Sequence, residues 1–410
     1  MFAAFLTLGA FCTSGAAETP QTAEAGQSMH DAYTIAAYYF PNYHPDARNA
    51  KQHGEGWTEW ELVKQAKPRF NGHHQPNIPL WGYTDESNPA DMARKIAAAA
   101  DHGIDAFIFD WYWFDDGPFL QRGLEDGFMK APNRERLKFA LMWANHNWLD
   151  IHPARLEKQS ELLYPGTVTP ETFDKMTDYI IETYFKHPSH WLINGQPYFS
   201  VYELHTLIQS FGTLDATREA LERFREKTKA AGFPGLHLNA VTFGVRILPG
   251  ETAVSEPEEL VSLLGFNSVT SYVWIHHVAL PEFPQTPYDY VRDKYIDHWK
   301  QAAPRYNVPY FPNVTMGWDS SPRCHSDDAF KNTGYPFMAT ISNNTPEAFE
   351  GGLRAVKALA DTLPPGPRII TVNCWNEWTE GSYLEPDTRN GLAYLEAVQR
   401  VFVNEKQARP

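Results

Sequence analysis

The chain has 410 residues, 43% of them apolar and 14% aromatic, with 13 Trp, 20 Tyr and a formal net charge of −15. That length accommodates a single large α/β barrel with insertions, and the apolar fraction is enough for a sizeable core. The acidic balance argues against nucleic acid or an anionic membrane surface as partner, because both require a basic face.

At the N-terminus the apolar run Phe2–Phe11 precedes Ser14, Gly15, Ala16 and Ala17. Residues 1–17 therefore read as a secretory signal peptide, lacking the usual basic n-region, and imply an exported protein, periplasmic or extracellular. A lipoprotein anchor at Cys12 is disfavoured by the bulky Phe11 before it. Residues 18–30 are small and polar and read as a linker, leaving 31–410 as one catalytic domain. No stretch approaches the ~20 apolar residues of a membrane span. Beyond the leader only Cys324 and Cys374 remain, too few for a disulfide scaffold or a zinc site by themselves. Either they pair with each other or Cys374 is a buried free thiol.

From Tyr33 onward short apolar runs alternate with amphipathic segments. The expected strands are Thr34–Tyr39, Ala106–Asp110, Phe139–Trp143, Pro197–Tyr202, Gly235–Val241, Phe266–Thr270, Val308–Val314 and Arg368–Asn373. Asn88-Pro89 opens a helix through Met92, Ile96 and Ala99 to a stop at Gly103; Thr169-Pro170 and Thr345-Pro346 open two more. Each places a capping side chain before a proline at the first helical position. The other helices are expected at about 117–130, 215–231, 256–264, 287–303 and 388–405. Eight strands alternating with eight helices predict a parallel sheet, and the count favours a closed (β/α)8 TIM barrel over a doubly wound sheet. A doubly wound fold would more often carry a glycine-rich turn after its first strand, where this chain has Tyr38-Tyr39-Phe40-Pro41-Asn42-Tyr43. The expectation is one domain with a long loop after strand 1.

In such barrels the active site lies on the loops at the C-terminal ends of the strands. Those positions hold Tyr39, then Trp57, Glu59 and Trp60 in the first loop, Asp110-Trp111-Tyr112 after strand two, and Trp143, Asn145, His146, Asn147 and Trp148 after strand three. They continue with Tyr202-Glu203, Tyr272, Trp318-Asp319 and the block Trp375-Asn376-Glu377-Trp378-Thr379-Glu380-Gly381. Aromatic platforms mixed with amides and carboxylates suit a carbohydrate, whose apolar C–H face stacks while its hydroxyls take hydrogen bonds. A single Trp or Asn at a strand end is as often structural; the argument rests on the repetition.

A Glu-x-x-Glu pair is usually a solvated helix face. Here it follows the apolar strand Ile369-Ile370-Thr371-Val372 and is flanked by Trp375 and Trp378. Two carboxyls held among indoles repel each other and lose solvation, so one is expected to stay protonated while the other ionises. If the loop makes a helical turn, Glu377 and Glu380 face the same side. The histidines show no metal-ligand spacing, and no Gly-x-Ser-x-Gly elbow is present, so neither a metal nor another cofactor is expected.

These residues carry a family resemblance. Tyr38 through Pro45, Gly56-Trp57-Thr58-Glu59-Trp60 through Pro76, Phe109 through Trp113, Trp143-Ala144-Asn145, and Trp375 through Pro386 resemble the WbsX-like family, glycosyltransferase-like by its older name and related to the family 99 endo-α-mannosidases. The resemblance covers about residues 33–400 and is most specific in the last block. It implies a retaining glycosidase in which Glu380 is the general acid and Glu377 is the base on the substrate's own 2-hydroxyl, through a 1,2-anhydro sugar. It also implies a 1,2-trans linkage such as an α-mannoside or α-L-rhamnoside. Within that frame Asp110, Asn145, Asp319 and Asn376 are expected on sugar hydroxyls. Trp60, Trp111, Trp143, Trp318 and Trp378 are expected as stacking walls, with Tyr39, Tyr112, His146, Tyr202 and Tyr272 completing the site. A glycosyltransferase is the rival reading; its sugar-nucleotide donor calls for a diphosphate site, and the Asp pairs here, Asp115-Asp116 and Asp327-Asp328, are not Asp-x-Asp. A lectin-like barrel would not need paired acids.

Overall fold

The computed structural model describes residues 1–2 and 33–404; apart from Met1 and Phe2, the expected leader and linker lie outside the described residues. At the centre are β1 (Tyr33–Tyr39), β2 (Ala106–Phe114), β3 (Lys138–Trp143), β4 (Gln196–Val201), β5 (His237–Val241), β6 (Ser268–Thr270), β7 in two pieces (Tyr310–Phe311 and Asn313–Thr315) and β8 (Arg368–Asn373). Every strand pairs in parallel with its chain neighbour, and β1 pairs with β8, Tyr33 opposite Arg368. The pieces of β7 stand at the two ends of the hydrogen-bonded path, one on β6 and the other on β8. Pro312 lies between them and has no N–H to give, so the ladder breaks inside this strand and the ring closes through it. This is the expected (β/α)8 barrel.

The strands are buried almost end to end, as parallel strands covered on both sides must be. Three helices begin where the sequence signals them. Asn88, Thr169 and Thr345 each accept a backbone N–H from the first turn of Pro89–Asp101, Pro170–Ile180 and Pro346–Ala360. Helices Leu214–Ala230, Pro257–Leu263 and Tyr288–Ala302 also fall close to their expected spans. The helix expected at 117–130 is corrected. Gly117, at φ 114°, turns the chain back so that Gly117–Phe119 pairs antiparallel with Tyr112–Phe114, and only Gly123–Phe128 is helical. The last helix begins at Ala393 and widens into a π turn over Arg400–Asn404.

The long loop after β1 carries two short helices, Ala47–His53 and Trp60–Gln65. It lies across the C-terminal mouth of the barrel, where Phe40, Tyr43, Trp60, Tyr112, Trp148, Trp378 and Tyr383 form a second hydrophobic cluster. Much of the aromatic content of the strand ends is thereby spent on packing. Cys324 and Cys374 are both buried free thiols. Among the described residues no helix is long and apolar enough to cross a membrane.

Candidate active site

The last strand delivers the glutamate pair. After β8 the chain makes a tight antiparallel hairpin in which Asn376 and Glu377 face Tyr383 and Ser382. The hairpin encloses one 3-10 turn, Trp378–Glu380, with Glu377 at its N-terminal boundary and Gly381 closing it at φ 62°. Three residues per turn place positions i and i+3 one above the other, so both carboxyls project to the same side. A Cβ on Gly381 would stand 2.9 Å from the backbone nitrogen of Asp319, so the turn needs glycine for both its handedness and this close approach.

The hairpin is anchored from behind. The Asn376 amide donates to the Phe40 carbonyl at 2.7 Å and to Glu86 at 2.7 Å, and accepts from the Phe40 N–H at 2.8 Å. The Trp378 indole N–H donates to Glu385 at 2.9 Å, and its ring stacks on Tyr383 with centroids 3.8 Å apart. Buried Lys95 joins the two acids, 3.0 Å from Glu385 and 3.7 Å from Glu86.

In front lies a cleft of about 690 Å³ lined by Asp110, Tyr112, His146, Trp148, His152, Tyr202, Tyr272, His276, Trp318, Arg323, Glu377 and Glu380, among others. Burial, then the Glu380 charge, pushes the Glu377 carboxyl well above its usual range against the pull of Arg323. Burial raises Glu380 as well, while Arg323 and the Tyr335 hydroxyl draw it back. Arg323 is 4% exposed and lies 2.6 Å from Glu380 and 3.3 Å from Glu377. Glu59 is also fully buried; Arg323, His152 and the Thr379 hydroxyl outweigh burial and hold it below the normal carboxylate range. Asp110 accepts from the Tyr272 hydroxyl at 2.9 Å, and its other oxygen is buried with no hydrogen-bond partner. Burial, with the Glu380 charge, raises its carboxyl far above normal. Burial pushes His146 down to about 4 and His152 to about 3, so both rings are neutral at pH 7. His146 Nδ1 is 3.0 Å from the Asn147 carbonyl, which can only accept, so Nδ1 carries the hydrogen and Nε2 is left as an acceptor.

The expected site residues divide. Asp110, Tyr112, His146, Tyr202, Tyr272, Trp318, Glu377 and Glu380 meet in this cleft. Several others do not reach it. The Tyr39 ring stacks on Phe109 and lies beside Lys95 within the core. Trp60 packs on Tyr43 and donates to the Thr84 carbonyl. Trp111 donates to the Tyr184 hydroxyl, and Trp143 packs on Phe173. Trp378 is sandwiched behind the turn, and Asn145 exchanges both its polar groups with the backbone of Glu203. Asn376, as above, is committed to the backbone of Phe40 and to Glu86. Asp319 turns toward a second, more polar hollow of about 1060 Å³ beyond Trp318, where His73 and Gln75 bind it. The reason is shared: a strand-end side chain faces the mouth or the surrounding helices according to its register, and apolar rings at the mouth pack against the loop above. Arg323 is a site residue that the sequence reading does not name, and Glu59 is one that it names in the first loop without a role. Their signal is faint, an arginine in the loop after Trp318-Asp319 and an acid in the first-loop Trp-x-Glu-Trp block.

Fold and cleft together define a (β/α)8 TIM barrel with a carboxyl-lined cleft at the C-terminal mouth of its strands. A family 99 endo-α-mannosidase from Bacteroides thetaiotaomicron, solved with BIS-TRIS-propane, superposes with a TM-score of 0.55 at 13% identity, covering 92% of this chain and 98% of that one. A glycoside hydrolase-like protein superposes with a TM-score of 0.59 at 12% identity, covering 91% and 95%. At such identities these likenesses establish the fold. The chain belongs to the family described as glycosyltransferase WbsX, whose profile matches residues 35–398. The uncharacterized protein WxcX of Xanthomonas campestris pv. campestris is 26% identical over 371 residues, 90% of this chain and 49% of that protein. The chain thus spans about half the length of the curated relatives it matches.

Proposed function

We propose that this chain is a retaining glycoside hydrolase that cleaves a 1,2-trans linkage, α-mannoside- or α-L-rhamnoside-like, in a polysaccharide or glycan. The observation that carries the reading is the carboxyl pair at the two ends of one 3-10 turn, both lining one aromatic cleft. Glu380, protonated, gives its proton to the glycosidic oxygen as the C1–O bond breaks. Glu377, ionised, takes the proton of the 2-hydroxyl, whose oxygen bonds to C1 and closes a 1,2-anhydro ring. Water then attacks C1, giving its proton to Glu380, while Glu377 returns its proton to O2. Two inversions give net retention without an enzyme nucleophile, so the ~5 Å spacing of ordinary retaining pairs is not required. The unpartnered oxygen of Asp110 suits a sugar hydroxyl, and Tyr112, Trp148, Tyr202, Tyr272 and Trp318 supply ring faces and edges. The leader-like residues 1–17 support export as the place of action.

The family's description favours a second reading, a glycosyltransferase in surface-polysaccharide synthesis. A sugar-nucleotide donor would want cationic groups free to bind a diphosphate. Among the described residues lining the cleft Arg323 is the cation at neutral pH, and its N–H groups already serve Glu59, Tyr335, Glu377 and Glu380. A panel of mannans, rhamnans and bacterial surface glycans, followed by reducing-end release, tests the reading. Hydrolysis of at least one member is expected; transfer from a sugar nucleotide with no hydrolysis would refute it.

A further inference from the structure

Three buried carboxyls converge on one guanidinium. Arg323 Nε and Nη2 lie 2.9 and 2.8 Å from Glu59 Oε1, Nη1 lies 2.6 Å from Glu380 Oε1 and also donates to the Tyr335 hydroxyl, and Nη2 reaches Glu377 Oε2 at 3.3 Å. Asn42 donates to Glu59 at 2.6 Å and the Thr379 hydroxyl donates to it as well, so Glu59 is a well-satisfied anion that balances Arg323. Two carboxyls then remain, and they are not treated alike. Glu380 Oε1 receives a charge-assisted bond at 2.6 Å and the Tyr335 hydroxyl at 2.8 Å, whereas Glu377 receives one long contact. The other ionisable groups facing the pair do not reverse this difference. Burial pushes the Asp110 carboxyl on β2 far above the usual carboxylate range, holds His146, His152 and His276 neutral, and keeps the Tyr43, Tyr112, Tyr202, Tyr272 and Tyr335 phenols and the Cys374 thiol protonated.

We propose that Arg323 is the positioning residue that decides which glutamate carries the shared proton, keeping Glu380 anionic and Glu377 protonated in the empty cleft. The inference rests on the acid–base reading of the pair and deepens it. The resting arrangement is the reverse of the one that leaving-group protonation by Glu380 requires. An entering sugar supplies what reverses it. Its 2-hydroxyl donates to Glu377 and favours the anion there, and its glycosidic oxygen accepts at Glu380 and favours the acid there. One proton leaves Glu377 and one arrives at Glu380, with no change in net charge. The acid is therefore armed by a substrate that brings a 2-hydroxyl donor, while Arg323 stays bound to Glu59.

The test is a carbon-13 NMR titration of the side-chain carboxyls in the full-length chain labelled at glutamate, each resonance assigned by its loss in Glu377→Gln or Glu380→Gln. Glu377 is expected to titrate above Glu380. Arg323→Met should raise Glu380 by about one unit or more and abolish the order, and Arg323→Lys, which keeps the charge, should restore Glu380 below Glu377. A wild-type protein in which Glu380 titrates last, or an order unchanged in Arg323→Met, overturns the proposal. If Arg323→Met does not fold, Tyr335→Phe carries the test, since it removes the second donor from Glu380. A smaller upward shift of Glu380 is expected, and no shift overturns the asymmetry. The titration needs no turnover. Transfer from a sugar nucleotide with no glycan hydrolysis would refute the hydrolase reading and leave this order standing, whereas an active enzyme with the opposite order would refute Arg323's role alone.

Discussion

The proposed reaction asks two proton transfers of this cleft, one at each glutamate. Replacing Glu380 with Gln removes the acid, and replacing Glu377 with Gln removes the base on O2. Each is expected to lower kcat by roughly 10²–10⁴-fold with little change in thermal midpoint, measured on whichever glycan the wild type cleaves. At this scale the sequence was informative where chemistry and position coincided. Glu377 and Glu380 stand in a block whose aromatic flanks follow an apolar strand, and that pattern can be read without coordinates. Trp60, Trp143 and Trp378 could not be sorted from Trp318 in the same way. A ring that walls a cleft and a ring that packs beneath a loop have the same neighbours in sequence and differ only in the direction they face. Arg323 was hidden for the converse reason, because it lies 54 residues before Glu377 and meets it only through the fold.

The turn that carries the pair depends on elements around it, and two substitutions probe that dependence. Gly381→Ala puts a Cβ against the Asp319 backbone at a left-handed position, with an expected cost of about 1–3 kcal/mol in chemical denaturation and a loss of activity from displaced Glu380. Lys95→Met strips the buried Glu86 and Glu385 of their shared cation, for an expected loss of about 3–5 kcal/mol. A neutral result for Lys95→Met would mean that Glu86 and Glu385 do not share a charge balance with it. Strand and helix alternation was legible because buried parallel strands read as apolar runs and because three helices open on a capping residue followed by proline. The Asp115-Asp116-Gly117 turn was missed since its helical-looking continuation masked a hairpin, and the break at Pro312 lay inside a segment whose apolar pattern was that of a single strand.

Across the whole barrel, the pH response of stability divides by site. His190 is buried far from the cleft beside Phe139, and burial lowers it to about 3. The unfolded chain therefore binds a proton between pH 6.5 and about 3 that the folded chain refuses, so this residue's contribution falls as pH falls through that window. Relative to a His190→Phe variant, the wild type should lose stability progressively as pH falls below 6.5 in paired denaturant titrations; a constant difference would mean that folding leaves the ring's proton affinity unchanged. At the barrel's mouth, by contrast, the proposed reaction turns on a proton shared between Glu377 and Glu380. The most direct measurement of that claim is proton NMR of the first product released from a cleaved α-linked glycan, with Glu380→Gln in parallel. Glycosidic cleavage that initially retains the anomeric configuration, and is lost in the variant, is the predicted result. An inverted product, or a variant that hydrolyses at the wild-type rate, would contradict it.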